Sequence, residues 1–339
     1  MNSVNGKPSV RRPAEYEPHA QTWMAWPHRR DLYGARLGKV QSGYVEVAKA
    51  ISQFEPVTMV ADTAHAAKAR KMLGNIASVV EMAIDDCWMR DSGPSFVEVN
   101  GKPAGVSWRF NAWGGKHAPF DNDDALAGKI LAHQKMPTRE SWLYCEGGSL
   151  CCDGEGTLIV TETSILNPNR NPGISRAFAE AELKAMLGVE KVIWLPGDPL
   201  DTETDGHIDG MCCYVRPGVV LFEVNTDMND VHGRILAQNR AVLESQTDAK
   251  GRKLQIIELP EAADATVTSD VFCRSYINFY LPNGGLILPV YGIASDAVAI
   301  EIVSKAFPAR QVVTIDVNEI APGGGSIHCI TQEQPAFAG

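Results

Sequence analysis

Read for its apolar and polar positions, the chain keeps returning to one short pattern: a glycine followed by a run of β-branched, aliphatic and aromatic residues. The pattern stands at "GPSFVEV" from Gly93, "GTLIVTE" from Gly156, "GVVLFEV" from Gly218 and "GGLILPV" from Gly284, with a poorer copy, "AQTWMAWP", from Ala20. Runs of this length, bounded upstream by turn residues, predict buried strands. Between them lie stretches with apolar residues three and four apart, which predict helices: "VEVAKAISQF", "DALAGKILAHQK", "SRAFAEAELKAML", "VHGRILAQNRAVLES" and "DAVAIEIVSKAF". Each helix is followed by a second apolar run, in order "PVTMVAD", "SWLYC", "KVIWLP", "LQIIELP" and "QVVTIDV".

A strand–helix–strand unit that recurs about every 60 residues is a repeat signature, and five units fill the chain. Closed head to tail, they predict an α/β ring of five blades around a central cavity, a single domain over residues 1–339. The competing reading is an ordinary α/β sandwich with accidental spacing. In a ring, the loops after equivalent strands converge, so they are read together. "DDCWMRDSGP", "EGGSL", "LDTETDGHIDG" and "GGGSIHC" occupy equivalent places and hold carboxylates, a His and a Cys.

Composition narrows the classes. At 339 residues with 45% hydrophobic and 21% charged residues, the chain has the make-up of a globular enzyme. The formal charge of −10, with no Lys/Arg run, argues against nucleic acid or an anionic membrane as partner and favours small cations. No apolar h-region follows Arg11 and Arg12 and no long apolar run occurs, so a cytoplasmic location is expected. The eight cysteines include two adjacent pairs and are expected to be free thiols.

Taken singly, each motif has a plain structural explanation. Cys329 could be an inert buried thiol. The acids around "DGHIDG" could cap turns. Arg90 and Asp91 could be a structural pair, and Cys151 and Cys152 core. Taken together, a Cys, a His and several carboxylates ask for a cation, because such carboxylates repel one another until one enters. A guanidinium fits, since its planar fork meets carboxylates in bidentate pairs. Cys329 would attack the guanidinium carbon, a protonated His207 would release ammonia, and water activated by the same His would free a urea-type product. That chemistry needs no metal or cofactor. A metal site built from His207, Asp209, His328 and Cys329 is the rival, unsupported by any HExxH or paired CxxC.

From "MAWP" through "DDCWMRDSGP", "WRFNAWGGK", "EGGS" and "DGHIDG" to "GGGSIHCITQEQP", the chain resembles the agmatine deiminases, of the peptidylarginine-deiminase-like branch of guanidino-group-modifying enzymes. The resemblance implies a pseudo-symmetric five-bladed α/β propeller of ββαβ-type repeats. It implies hydrolysis of agmatine to N-carbamoylputrescine and ammonia, with other guanidino compounds (arginine, peptidyl-arginine, methylated arginine) as alternatives. Carried over by position, Cys329 is the nucleophile, His207 the acid and base, and Glu146 a carboxylate beside His207. Asp86 and Asp209 bind the guanidinium, Asp91 shares or replaces the role of Asp86, and Trp88 of the same motif contacts substrate. His328 is expected on the opposite side of an extended backbone from Cys329. Asp198, Asp201, Glu203 and Asp205 are candidates for the substrate's far end, whereas a carboxylate there would call on Arg109, Arg216 or Arg274. Gly210 departs from the expected pattern, which has Asn after the Asp. Self-association into a homo-oligomer stays open.

Overall fold

Glycine marks the strands because the turns ahead of them need it. In the computed structural model, which describes residues 9–337, Gly101, Gly156, Gly218 and Gly284 all have positive φ, from 72° to 105°. A Cβ disfavours that backbone. Each glycine lies just before a strand, respectively Lys102–Arg109, Thr157–Thr161, Val219–Val224 and Gly285–Val290. Each turn reverses the chain from an antiparallel partner: Ser95–Val99, Cys151–Cys152, Cys212–Arg216 and, as a single bridge, Tyr280 to Ile287.

This corrects the phase of the repeat in the second unit. The strand that follows Gly93 is the antiparallel partner, Ser95–Val99, and the strand feeding the helix is Lys102–Arg109. The sequence "KPAGVSWR" hid that strand, because Pro, Gly and Ser dilute its apolar run. The poorer copy near Ala20 is a full member, His19–Ala25.

Five parallel pairs follow, each joined through a helix, as parallel strands require a crossover. His19–Ala25 pairs with Val57–Ala61 and Lys102–Arg109 with Thr138–Tyr144. Thr157–Thr161 pairs with Lys191–Leu195, Val219–Val224 with Gln255–Pro260, and Gly285–Val290 with Gln311–Asp316. The five pairs lie in five separate sheets. In one of them Thr331–Pro335, near the chain's end, runs antiparallel to His19–Ala25, near its start. The fold is mixed α/β.

Packing follows the periodicity. Helix Leu37–Ile51 turns Val40, Tyr44, Val47, Ala48 and Ile51 inward at three- and four-residue spacing. Strand Val219–Val224 buries Val220, Leu221 and Phe222 completely, as a strand covered on both faces must. Truncating Phe222 to Ala would cost about 3–5 kcal/mol. No described helix is long and apolar enough to cross a membrane.

Candidate active site

Each antiparallel partner strand is preceded by a short irregular segment, and those segments carry the chemistry. Asp91 sits in the single turn Met89–Ser92 ahead of Ser95–Val99. Glu146 precedes Gly147–Ser149 and Cys151–Cys152. His207 leads into the short 3₁₀ turn Ile208–Gly210, which holds Asp209, ahead of Cys212–Arg216. Asn278 precedes the Tyr280 bridge, and Cys329 precedes Thr331–Pro335. All five units therefore deliver a polar side chain at the same place.

Cys329 is 7% exposed. Its Sγ is 3.6 Å from Asp209 Oδ2 and accepts a hydrogen bond from Asn278 Nδ2 at 3.2 Å. Asn278 Oδ1 also accepts from the backbone N–H groups of His328 and Cys329, at 3.1 and 3.3 Å. The triple glycine makes room. A Cβ on Gly325 would stand 2.9 Å from the Cys329 Cβ and 2.5 Å from the Trp88 ring. Trp88 is thereby placed against the loop that carries Cys329.

His207 is buried, with Nε2 3.3 Å from Glu146 Oε2 and Nδ1 3.9 Å from Asp91 Oδ1. Nδ1 has no hydrogen-bond partner among the described residues. Gly148 leaves this space, since a Cβ there would stand 2.5 Å from His207 Nδ1 and 3.1 Å from Asp209 Oδ2. Glu146 Oε1 accepts from Arg170 Nε at 2.7 Å. Asp91 accepts from the Gly148 N–H at 3.0 Å and from the Trp113 indole at 2.9 Å.

The charge balance leaves a cation wanted. Burial works against ionising Glu146, yet the Arg170 guanidinium and His207 hold its carboxyl down at about 2. Burial likewise opposes ionisation of Asp209, but the hydrogen bond from His328 keeps it below the usual carboxylate range. Asp91 lies above that range, through burial and the neighbouring Asp209 and Glu146, with His207 opposing. Burial lowers His207, but Asp91 and Glu146 outweigh it and push it up to about 9. Burial, with Asp209 and Asp91 nearby, raises the Cys329 thiol well above its ordinary value. At neutral pH these shifts favour the thiol at Cys329 and the imidazolium at His207. A cation between Asp91 and Asp209 would offset their charge and favour the thiolate.

Several expectations shift at this level. Asp86 does not join the group. It accepts from the Cys87 N–H at 2.8 Å and its own N–H is held by Asp123, while Asp91 takes the place beside His207. Asp85 is buried, accepting from Asn122 twice, so it braces a loop. His328 does not face away from Cys329, because the two lie in a turn rather than a strand: both reach Asp209 Oδ2, His328 through Nδ1 at 2.8 Å. His207 and Asp209 are brought together by the 3₁₀ turn Ile208–Gly210. Arg90 is fully buried and held by Glu15 and Glu333, a structural hub. Asn278 carried no signal in the sequence; Trp113 lay in the noted "WRFNAWGGK" stretch, but its bond to Asp91 is visible only in three dimensions.

Comparison with known proteins places this geometry in a lineage. A model of the Porphyromonas-type peptidyl-arginine deiminases matches residues 11–335. The chain belongs to that family. An agmatine deiminase of Stutzerimonas stutzeri is 44% identical over 349 residues, covering 96% of this chain and 95% of that protein. The solved agmatine deiminase of Enterococcus faecalis is 36% identical with a TM-score of 0.94, covering both chains completely. A substrate-bound agmatine deiminase variant of C. jejuni, at 24% identity and a TM-score of 0.90, covers 100% of this chain and 99% of its own and shares the fold.

In this family member a cavity of about 430 Å³ opens from His207, Asp209 and Cys329. Its wall is acidic, with Asp198, Asp201, Glu203, Glu223, Glu261 and Asp270 facing Arg274 and His232. Of the four acids expected at the substrate's far end, Asp205 is taken up by Arg170 and Lys116, and Asp201 caps its own loop at Glu203 and Gly206. Asp198 pairs with His232, and Glu203 is 2.6 Å from His117 Nε2. Among the arginines, Arg109 is committed to Asp124 and only Arg274 lines the cavity. A side chain at Gly210 would meet nothing within 4 Å, so the departure widens the cavity without relieving a clash.

Proposed function

We propose that this chain is an agmatine deiminase, a hydrolase converting agmatine to N-carbamoylputrescine and ammonia. The observation that carries the reading is the convergence of Cys329, His207 and Asp209 on an acid-lined cavity, with Asp91 and Glu146 against His207. The match to agmatine deiminases over nearly the full chain supports the substrate. The five units are read as blades of a single propeller domain, their five polar segments meeting at its centre. The free thiols suit a reducing, cytoplasmic setting.

In the mechanism, Asp91 and Asp209 hold the guanidinium from two sides. With their charge offset, Cys329 loses its proton to solvent and the thiolate bonds to the guanidinium carbon, giving a neutral tetrahedral adduct. His207 gives its Nδ1 proton to one terminal nitrogen, the C–N bond breaks, and ammonia departs, leaving an S-alkylthiouronium cation. Neutral His207 takes a proton from water as the oxygen bonds to that carbon. Collapse expels the thiolate, and the hydroxyl proton is shed as the C=O forms, balancing the proton ammonia takes up. Glu146, anchored by Arg170, orients His207 throughout.

Ammonia release from agmatine and from arginine at equal concentration tests the substrate. Agmatine is expected to dominate, because most of the charge on the wall is negative and an amine suits it better than a carboxylate. Preferential turnover of arginine would move the assignment to another guanidino substrate.

The pH profile follows from the charge states. Between free enzyme and adduct Cys329 gives a proton up to solvent, which rising pH favours, while His207 must stay an imidazolium, a form lost above about 9. The kcat/KM for agmatine should therefore be bell-shaped with its maximum on the alkaline side of neutrality. A flat profile from pH 6 to 10 would contradict these roles.

A further inference from the structure

A second group of ligating side chains stands on the same cavity wall, away from the reacting thiol. It is built at the carboxyl ends of the parallel pair Val219–Val224 and Gln255–Pro260. Glu223 is the penultimate residue of the first strand, and Glu261 follows the second, its N–H donated to the Val224 carbonyl. His232 lies in the first turn of helix Val231–Glu244, where the Asp230 cap accepts from its backbone N–H. One ligand atom from each of Glu223, His232 and Glu261 lies within 4.8 Å of the other two.

The polar groups around this point are not all partnered. His232 Nδ1 is 2.7 Å from Glu261 Oε2 and its Nε2 is 3.3 Å from Asp198 Oδ2. Three carboxylates thus surround one imidazole. Glu223 is 5% exposed, and its Oε1 is buried with no hydrogen-bond partner among the described residues. A buried carboxyl oxygen left without a donor is costly. Glu261, by contrast, is oriented from behind: Asn225 Nδ2 donates to its Oε1 at 2.9 Å and to Asp230 at 2.8 Å. An aligned carboxylate, an imidazole and a buried carboxyl group with an unpartnered oxygen, gathered within ligand distance of one another, are the parts of a cation site with outer support.

We propose that Glu223, His232 and Glu261 bind a divalent transition-metal ion, with water completing its coordination. Carboxylate and imidazole donors together suit Mn²⁺ or Zn²⁺, whereas Ca²⁺ asks for six to eight oxygens. Binding displaces the proton that His232 shares with its carboxylates. The ion takes no part in the thiol chemistry. It adds positive charge to the wall along which a cationic substrate enters, and so raises the KM for agmatine without altering kcat. That last consequence rests on the agmatine deiminase reading; the metal site itself does not.

The test uses Mn²⁺ and the full-length Cys329→Ser chain, so that the reactive thiol does not compete as a ligand. Cys273 also lines the cavity and makes Zn²⁺ a poorer probe. Loss of the free Mn²⁺ EPR signal should report one saturable ion per chain. Adding Glu223→Gln or His232→Gln should weaken binding by at least about tenfold, and adding Asp91→Asn should leave it unchanged. Circular dichroism checks folding. If His232→Gln does not fold, Glu223→Gln decides alone, because it keeps the shape at an oxygen that has no partner to lose. Absence of saturable Mn²⁺ binding, or binding indifferent to both substitutions, overturns the proposal. A Glu223→Gln effect on the KM for agmatine with no Mn²⁺ bound to any form would assign the cluster to the substrate's ammonium and overturn it too. Because binding is read without turnover, its failure leaves the deiminase reading standing, and inactivity toward agmatine leaves the metal site standing.

Discussion

Cys329→Ser is expected to lower ammonia release from agmatine by on the order of 10⁴–10⁶, the scale seen when a catalytic nucleophile is removed, while circular dichroism and the thermal midpoint stay close to wild type. The two side chains are similar in volume, and a hydroxyl can keep the 3.2 Å contact with Asn278 Nδ2. What is lost is ionisation. Offsetting Asp91 and Asp209 with a guanidinium can bring a thiol within reach of neutrality, but not an alcohol, whose proton is far more tightly held. Agmatine should still bind, because the carboxylates are untouched. A serine variant retaining more than a few per cent of activity would remove Cys329 from the centre of the mechanism.

The second large effect separates two aspartates only five residues apart. Asp91→Asn should cut kcat/KM for agmatine by roughly two to four decades, since breaking one partner of a buried ion pair costs about 3–5 kcal/mol. Asp86→Asn should leave kcat/KM near wild type. Asp86 accepts a hydrogen bond from the Cys87 N–H, which an amide oxygen can also accept, and burial already raises its pKa toward the neutral form. Asp209→Asn should resemble Asp91→Asn, with the added loss of the charge facing His328. A crippled Asp86→Asn beside a healthy Asp91→Asn would move the clamp to Asp86 and contradict the observed grouping.

The contrast between these aspartates shows where the sequence stops being legible. Glycine-led apolar runs exposed the repeat because a positive-φ turn and a doubly buried strand each leave a compositional mark, as at Gly218 and Val219–Val224. Lys102–Arg109 has the positive-φ turn at Gly101 but not the unbroken apolar run, so the pattern puts the second unit one strand out of phase. Cys329, His207, Asp209 and Glu146 could be named from residue type and motif. The choice between Asp86 and Asp91 could not, because it turns on whether the short helical turn Met89–Ser92 or the loop before it faces His207. Asn278 was invisible for a related reason: an asparagine in a loop has many uses, and only the fold sets its amide against the Cys329 thiol. His328 lies beside Cys329 rather than opposite it because the chain makes a turn there and not a strand.

The central claim is that a covalent bond forms between Cys329 and the substrate's guanidinium carbon. It is tested most directly by mixing the wild-type chain with agmatine, quenching in acid within a turnover, and measuring intact and peptide mass. The account predicts a species heavier by agmatine less one ammonia, located on the peptide containing Cys329 and absent from Cys329→Ser. Turnover of agmatine at full rate with no such adduct at any quench time, or with the added mass on a different cysteine such as Cys273, would contradict it.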